Sequence, residues 1–253
     1  MTNQTTFSHE IPPLGVAELE KELSRTLRFW EQWSAQCHGQ GELHDQVLRS
    51  ALTLKVLTYA PSGGLVAAPT TSLPETVGGA RNWDYRFTWI RDATFALYAL
   101  SIIGYTEEAE AFKNWLEWST SGRARDLQVM YGLGGERRLT EIELLELEGY
   151  RKSRPVRIGN GAYSQFQLDI YGEIMDSAHI YLKFGGAMDP EYWKYLQRVV
   201  AYVMDHWQEP DEGIWETRGG RQHFVFSKVM FWVALDRAIK AAVSRKLEGD
   251  VAK

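Results

Sequence analysis

One cysteine, Cys37, is all that 253 residues contain. Neither a disulfide framework nor a CxxC or Cys/His metal site can be assembled from this chain, and a reducing compartment is expected. No long run of lysine or arginine occurs, and 28 basic residues against 33 acidic ones give a formal charge of −5. The electrostatic footprint that nucleic acid demands is missing, so no nucleic-acid partner is expected. The opening stretch MTNQTTFSHEIPPLG lacks the basic and apolar regions of a secretory leader, and no segment forms an apolar run of the roughly 18 residues a membrane span needs. The expectation is a cytoplasmic chain with no membrane partner.

What the sequence does have is aromatic side chains: ten Trp, twelve Tyr and ten Phe, within a composition that is 44% hydrophobic and able to bury a sizeable core. Ring faces suit flat or sugar-like ligands, but large helical cores also use many of them. Composition leaves both open.

The apolar spacing is helical through most of the chain. Over residues 16–37, Leu19, Leu23, Leu27, Trp30 and Trp33 form one narrow stripe with a charged back. A second helix is predicted over 43–59, followed by a Gly-, Pro- and Thr-rich loop to residue 84 with a short strand at 65–68. Beyond Arg91, DATFALYALSII is apolar nearly all round and reads as an inner helix, whereas TEEAEAFKNWLEWST is amphipathic and reads as an outer one. Residues 121–162 are irregular, with a hairpin predicted in LQVMYGLGGERRL. Then QFQLDIYGEIMDSAHIYLKF reads as inner, PEYWKYLQRVVAYVMDHW as outer, and HFVFSKVMFWVALDRAIKAAV as inner. About six helices after the leading one alternate between two concentric layers, and the long loops gather at one end, where a ligand site belongs.

Three of those loops carry the chemistry: RNWDYRFTWIRD, RPVRIGNGAYSQFQLD and EPDEGIWETRGG. A guanidinium and a carboxylate at Arg91 and Asp92 can hold sugar hydroxyls, or they can cap a helix N-terminus. The company of Trp83, Tyr85 and Trp89 favours a ligand, because a cap needs no aromatic platform. Glu216 follows Trp215 and lies near Asp211 and Glu212. A carboxyl packed on an indole among other carboxylates has a raised pKa and suits a general acid, while the plain alternative is a solvated acidic turn.

Taken together and in order, RSALTLKVLTYAPSGGLVAAPTTSLPE, GGARNWDYRFTWIRDA, GYRKSRPVRIGNGA, QLDIYGE and EPDEGIWETRGGRQHFVFSKVMFWVALDRAI resemble glycoside hydrolase family 15, the glucoamylase and bacterial trehalase-like group. The resemblance implies an all-α fold, an (α/α)6 barrel or six-hairpin toroid, present as about half of the ring. Residues 1–40 would form a linker helix region and 41–253 a partial catalytic domain. It implies Glu216 as general acid, with Arg91 and Asp92 gripping the non-reducing glucose, Trp89 and Tyr85 packing around that ring, and Asp84 and Trp215 completing the substrate-binding set. No metal and no cofactor are implied. The substrate class is an α-glucoside, trehalose or a short α-1,4-glucan. Thr217 stands where starch-acting members carry an acidic residue, which leans toward the trehalase-like branch.

The family mechanism is inversion, in which a second carboxylate activates water across the sugar from the acid. No motif for that general base is found in this chain, so the isolated chain is expected to be inactive, with a missing C-terminal barrel half or self-association as the implied partner. The alternative is a non-catalytic sugar-binding or assembly protein of the same fold. Retention of Glu216 weighs against it, since binding alone needs no protonated acid.

Overall fold

The computed structural model describes residues 15–39, 41–120 and 123–249. The chain divides into two compact units, Met1–His38 and Gly39–Lys253. In the first, α1 (Val16–Ser34) carries the predicted stripe, with Leu19, Leu23 and Leu27 exposed and Phe29, Trp30 and Trp33 in successive edge contacts at 5.1 and 6.3 Å. It ends at Ser34 rather than continuing to residue 37.

The second unit holds six α-helices among the described residues: α2 (His44–Leu57), α3 (Ile90–Ile102), α4 (Glu107–Thr120), α5 (Asp169–Lys183), α6 (Pro190–His206) and α7 (Val225–Arg245). The amphipathic ones form as their patterns demand. Asp189 caps α6 by accepting from the Tyr192 backbone N–H at 2.8 Å, Pro190 occupies the first turn, and Tyr192, Tyr195, Leu196, Val199 and Val203 bury one face. In α4, Phe112 and Trp115 stack at 5.3 Å and, with Leu116, are fully buried, while Glu107 and Glu110 face solvent. Each such side chain contributes about 1.5–3 kcal/mol by leaving water.

The centre of the unit is α5, which packs against α3 on one side and α7 on the other. Gly172 permits the second contact: a Cβ there would lie 2.3 Å from the Met230 carbonyl oxygen of α7. Outside these three, α4 touches α3 and α5, and α6 touches α5 and α7. Inner helices side by side with outer helices over their seams are the arrangement of an all-α toroid, here present in part.

The inner helices are not equally enclosed. Ile170, Tyr171, Ile174 and Met175 of α5 are all buried, but Phe95, Tyr98 and Ile102 of α3 and Val229, Trp232, Ile239 and Val243 of α7 are exposed. A barrel present in part leaves such apolar flanks uncovered: α3 and α7 each have one inner neighbour, α5, among the described residues.

Strands are few and short: β1 (Thr88–Trp89), β2 (Met130–Tyr131), β3 (Ile142–Leu144) and β4 (Val156–Ile158). The hairpin predicted within LQVMYGLGGERRL does not form. Its turn is present, with Gly132 and Glu136 joined by a 2.8 Å backbone bond, but β2 pairs antiparallel with β1, Thr88 opposite Tyr131 and Trp89 opposite Met130. Met130 and Tyr131 are fully buried whereas Arg137 and Arg138 are exposed, so the apolar arm pairs inward and the charged arm stays out. The strand expected at 65–68 is reduced to a single bridge between Thr58 and Leu65.

Candidate active site

Trp89 ends β1 and Ile90 begins α3, so the β1–β2 ladder and a 3.1 Å bond from the Ile90 N–H to the Val129 carbonyl fix the entry to the inner helix. Arg91 follows in the first turn. Its Nη1 donates to Asp169 Oδ2 at 2.7 Å and to Gln167 Oε1 at 3.1 Å, tying the N-terminus of α3 to that of α5. Burial pulls the Arg91 pKa down, but the charge and hydrogen bond of Asp169 push it up further, so the guanidinium is firmly charged. Burial also raises the Asp169 carboxyl above its ordinary value, against the pull of Arg91. Asp92 opens to the cleft beside them. The cleft walls desolvate it enough to raise its pKa, opposed by Arg91 and by its own backbone N–H.

Glu216 arrives from the other side. Its loop is closed at the base by paired backbone bonds between Asp211 and Gln222 at 2.9 and 2.8 Å, and Glu216 itself has φ +52°, a left-handed conformation uncommon for a residue with a side chain. Trp89 Nε1 donates to Glu216 Oε1 at 2.7 Å, and Arg91 Nη2 lies 3.8 Å from the same oxygen. Burial raises the Glu216 pKa, and the bond from Trp89, the charge of Arg91 and a bond from Gln167 moderate the rise. Desolvation in this partly dry cleft favours the protonated carboxyl, and the two donors fix its orientation while favouring the ionised form.

The sources of that environment differ from the sequence expectation. Trp215 is 78% exposed and lines the cleft without covering Glu216; the indole on the carboxyl is Trp89. Asp211 and Glu212 are not among the main influences on the Glu216 carboxyl. Asp211 accepts from the Leu168 N–H at 2.9 Å and Ser227 Oγ at 2.7 Å, and Glu212 accepts from the Phe166 N–H at 2.8 Å and Arg221 Nε at 3.2 Å. Both fasten the loop to its surroundings.

Trp89, Arg91, Asp92, Tyr85, Trp215 and Glu216 meet in one open cleft of about 820 Å³, with Trp83 and Arg218 at its edge. Tyr85 and Trp89 stand 5.8 Å apart, inclined at 46°. Asp84, expected with the substrate-binding set, does not line this cleft. It is fully buried, accepting from Arg86 through Nε at 2.9 Å and Nη2 at 2.8 Å and from the Gly159 N–H at 3.0 Å. The reason is the alternation of an extended segment: Asn82 and Asp84 point into the protein, Trp83 and Tyr85 into the cleft. Sequence reasoning missed Gln167 and Asp169. Their signal was two polar residues at the mouth of an inner helix, the same anomaly that singled out Arg91 and Asp92.

Among the described residues, no group of three or more His, Cys, Asp or Glu could hold a metal ion, and no helix is long and apolar enough to cross a membrane.

The family model described as Glycosyl hydrolases family 15 matches residues 41–253. A trehalase of Mycolicibacterium smegmatis is 47% identical over 253 residues, covering 97% of this chain and 37% of the relative. A trehalase of Mycobacterium tuberculosis is 49% identical over 239 residues, 91% of this chain and 35% of the relative, and one of Thermoplasma volcanium is 45% identical over 221 residues, 87% and 35%. The chain thus spans little more than a third of the length of these relatives. No solved structure matches it.

Proposed function

Given that the chain belongs to glycosyl hydrolase family 15, we infer that it supplies the general-acid side of an inverting α-glucoside hydrolase whose substrate is trehalose. The observation that carries this reading is Glu216 at the meeting point of Trp89 and Arg91, 2.7 and 3.8 Å away, at the wall of an aromatic cleft. In this reading residues 41–253 are part of the catalytic domain and residues 1–40 the helical linker before it. The protonated Glu216 gives its proton to the glycosidic oxygen as the bond to the departing glucose breaks. Arg91 and Asp92 hold hydroxyls of the non-reducing glucose, Tyr85 and Trp89 pack on its ring, and Trp215 faces the second sugar from the rim. The names of the relatives support trehalose over maltose, and Thr217 agrees with that choice.

A second carboxylate must stand roughly 6.5–9.5 Å from Glu216, leaving room for the attacking water. Asp92 is engaged in gripping the sugar, Glu75 pairs with Arg81 at 3.5 Å, and Asp84, Asp211 and Glu212 hold the scaffold. The base therefore comes from outside this chain, from a C-terminal barrel half or a second copy. The test is glucose release from trehalose and maltose, by the purified chain and by the assembly that supplies the second carboxylate. Turnover of trehalose by the assembly alone is expected. Calorimetric binding of trehalose with no release by either would establish a sugar-binding protein instead.

A further inference from the structure

Glu173 has no part in the reaction just described, yet it is 2% exposed, one turn into α5 from the Asp169 that holds Arg91. It stands four residues after Asp169, and residues four apart on a helix share one face, with Cβ atoms about 5–6 Å apart. Asp169 is itself fully buried, with Oδ2 on Arg91 and Oδ1 without a hydrogen-bond partner among the described residues. Glu173 Oε1 lacks one as well. Two adjacent carboxyls are thus sealed from water, each with an oxygen to spare.

The charges around them do not accommodate two anions. Asp169 and Asp176 face Glu173 along α5, and Arg91 and Asp92 face it from α3. Arg91 is committed to Asp169 at 2.7 Å, and Arg237 of α7 is committed to Asp176 at 2.6 Å. Like carboxyls in one dry site settle this by keeping one of the two neutral.

We propose that Glu173 is a neutral carboxylic acid that donates its hydrogen to Oδ1 of Asp169, leaving Oδ2 ionised and aimed at Arg91, and so positions the guanidinium beside Glu216. Glu173 is a positioning residue: it reaches the acid through Asp169 and Arg91 and touches no substrate. Burial and the charge of Asp169 push its pKa up to about 8. Above that value the donor is lost and a second anion competes for Arg91.

Two measurements test this, and only the second rests on the reading of Glu216. The first is carbon NMR of glutamate carboxyls in the purified chain across pH, for the parent and Glu173→Gln. One parent resonance, absent in the variant, should titrate near pH 8. Should the variant fail to fold, a parent spectrum in which no glutamate carboxyl titrates above pH 7 overturns the proposal by itself. The second is the kcat profile of the trehalose-hydrolysing assembly. Glu173→Leu, which fills the space without a donor, should lower kcat at least about tenfold at pH 6, and Glu173→Gln should recover most of that loss and abolish the step near pH 8 that Glu173 adds to the alkaline limb set by Glu216. Equal effects of the two variants, with an unchanged profile, would show Glu173 to be mere filling. A titration near pH 8 together with an active Glu216→Gln enzyme would leave this proposal standing and remove the acid role of Glu216.

Discussion

The indole N–H of Trp89 lies 2.7 Å from Oε1 of Glu216, joining residues 127 positions apart. It is the bond that opposes burial most strongly in setting the protonation of that carboxyl. A donor stabilises the ionised form, so Trp89→Phe, which keeps a ring and removes the N–H, should move the Glu216 pKa upward. With Glu216 as general acid, the alkaline limb of the pH–rate profile then shifts to higher pH. A limb that stays in place would show that Trp89 does not control the acid.

Glu216→Gln keeps the shape and removes the proton that the proposed general acid would give. In the assembly that supplies the second carboxylate, turnover of trehalose should fall about 10²–10⁴-fold with trehalose binding largely intact, as glucose release and calorimetry would report. Near-parental glucose release would reject the assignment.

Asp189→Ala removes the cap of α6 and should cost about 1 kcal/mol near neutral pH. The Tyr192 N–H, against some burial and aided by Lys113, holds the Asp189 carboxyl below its ordinary value of 3.8. A depressed folded pKa means that this contribution is present above pH 3.8 and lost as pH falls through the folded value. Urea unfolding at pH 7 and pH 3 should therefore show a gap between parent and variant that closes in acid.

Gly172→Ala tests the closeness of α5 and α7. The added Cβ would meet the Met230 carbonyl oxygen at 2.3 Å, so the helices must part, at a cost of about 1–3 kcal/mol. A melting temperature equal to that of the parent would mean the seam is looser than it looks.

The exposed apolar residues of α3 and α7 should drive self-association of the purified chain. Light scattering should report species larger than a monomer, and the double variant Ile102→Glu, Trp232→Glu should reduce them. A parent that stays monomeric at high concentration would refute this.

Much of the helical frame was legible because period and caps are local. The apolar stripe of α6 and its Asp-Pro start specify a helix with little help from elsewhere. The alternation of inner and outer helices followed from how many faces each segment could bury. What stayed hidden depends on neighbours distant in sequence. The pairing of β1 with β2 cannot be read from LQVMYGLGGERRL alone, and a count of apolar residues in α7 does not say which of its faces meets another helix. At the site, Arg91, Asp92 and Glu216 stood out as charge next to apolar helices, but adjacency misled at Trp215. The left-handed turn at Glu216 sends the two neighbouring side chains different ways, one onto Trp89 and the other to the rim. Asp84 misled for a related reason, since alternate residues of an extended segment face opposite sides.

The left-handed backbone of Glu216 sets stability and activity against each other at one position. A side chain in that conformation carries a conformational penalty that glycine escapes, about 1 kcal/mol. Replacement by glycine would relieve the turn while removing the carboxyl proposed as the proton donor, so a protein that had lost that proposed activity could fold as well as the parent or better. A screen for thermal stability alone would accept such a variant, and in this loop robustness of folding is a poor guide to a working enzyme.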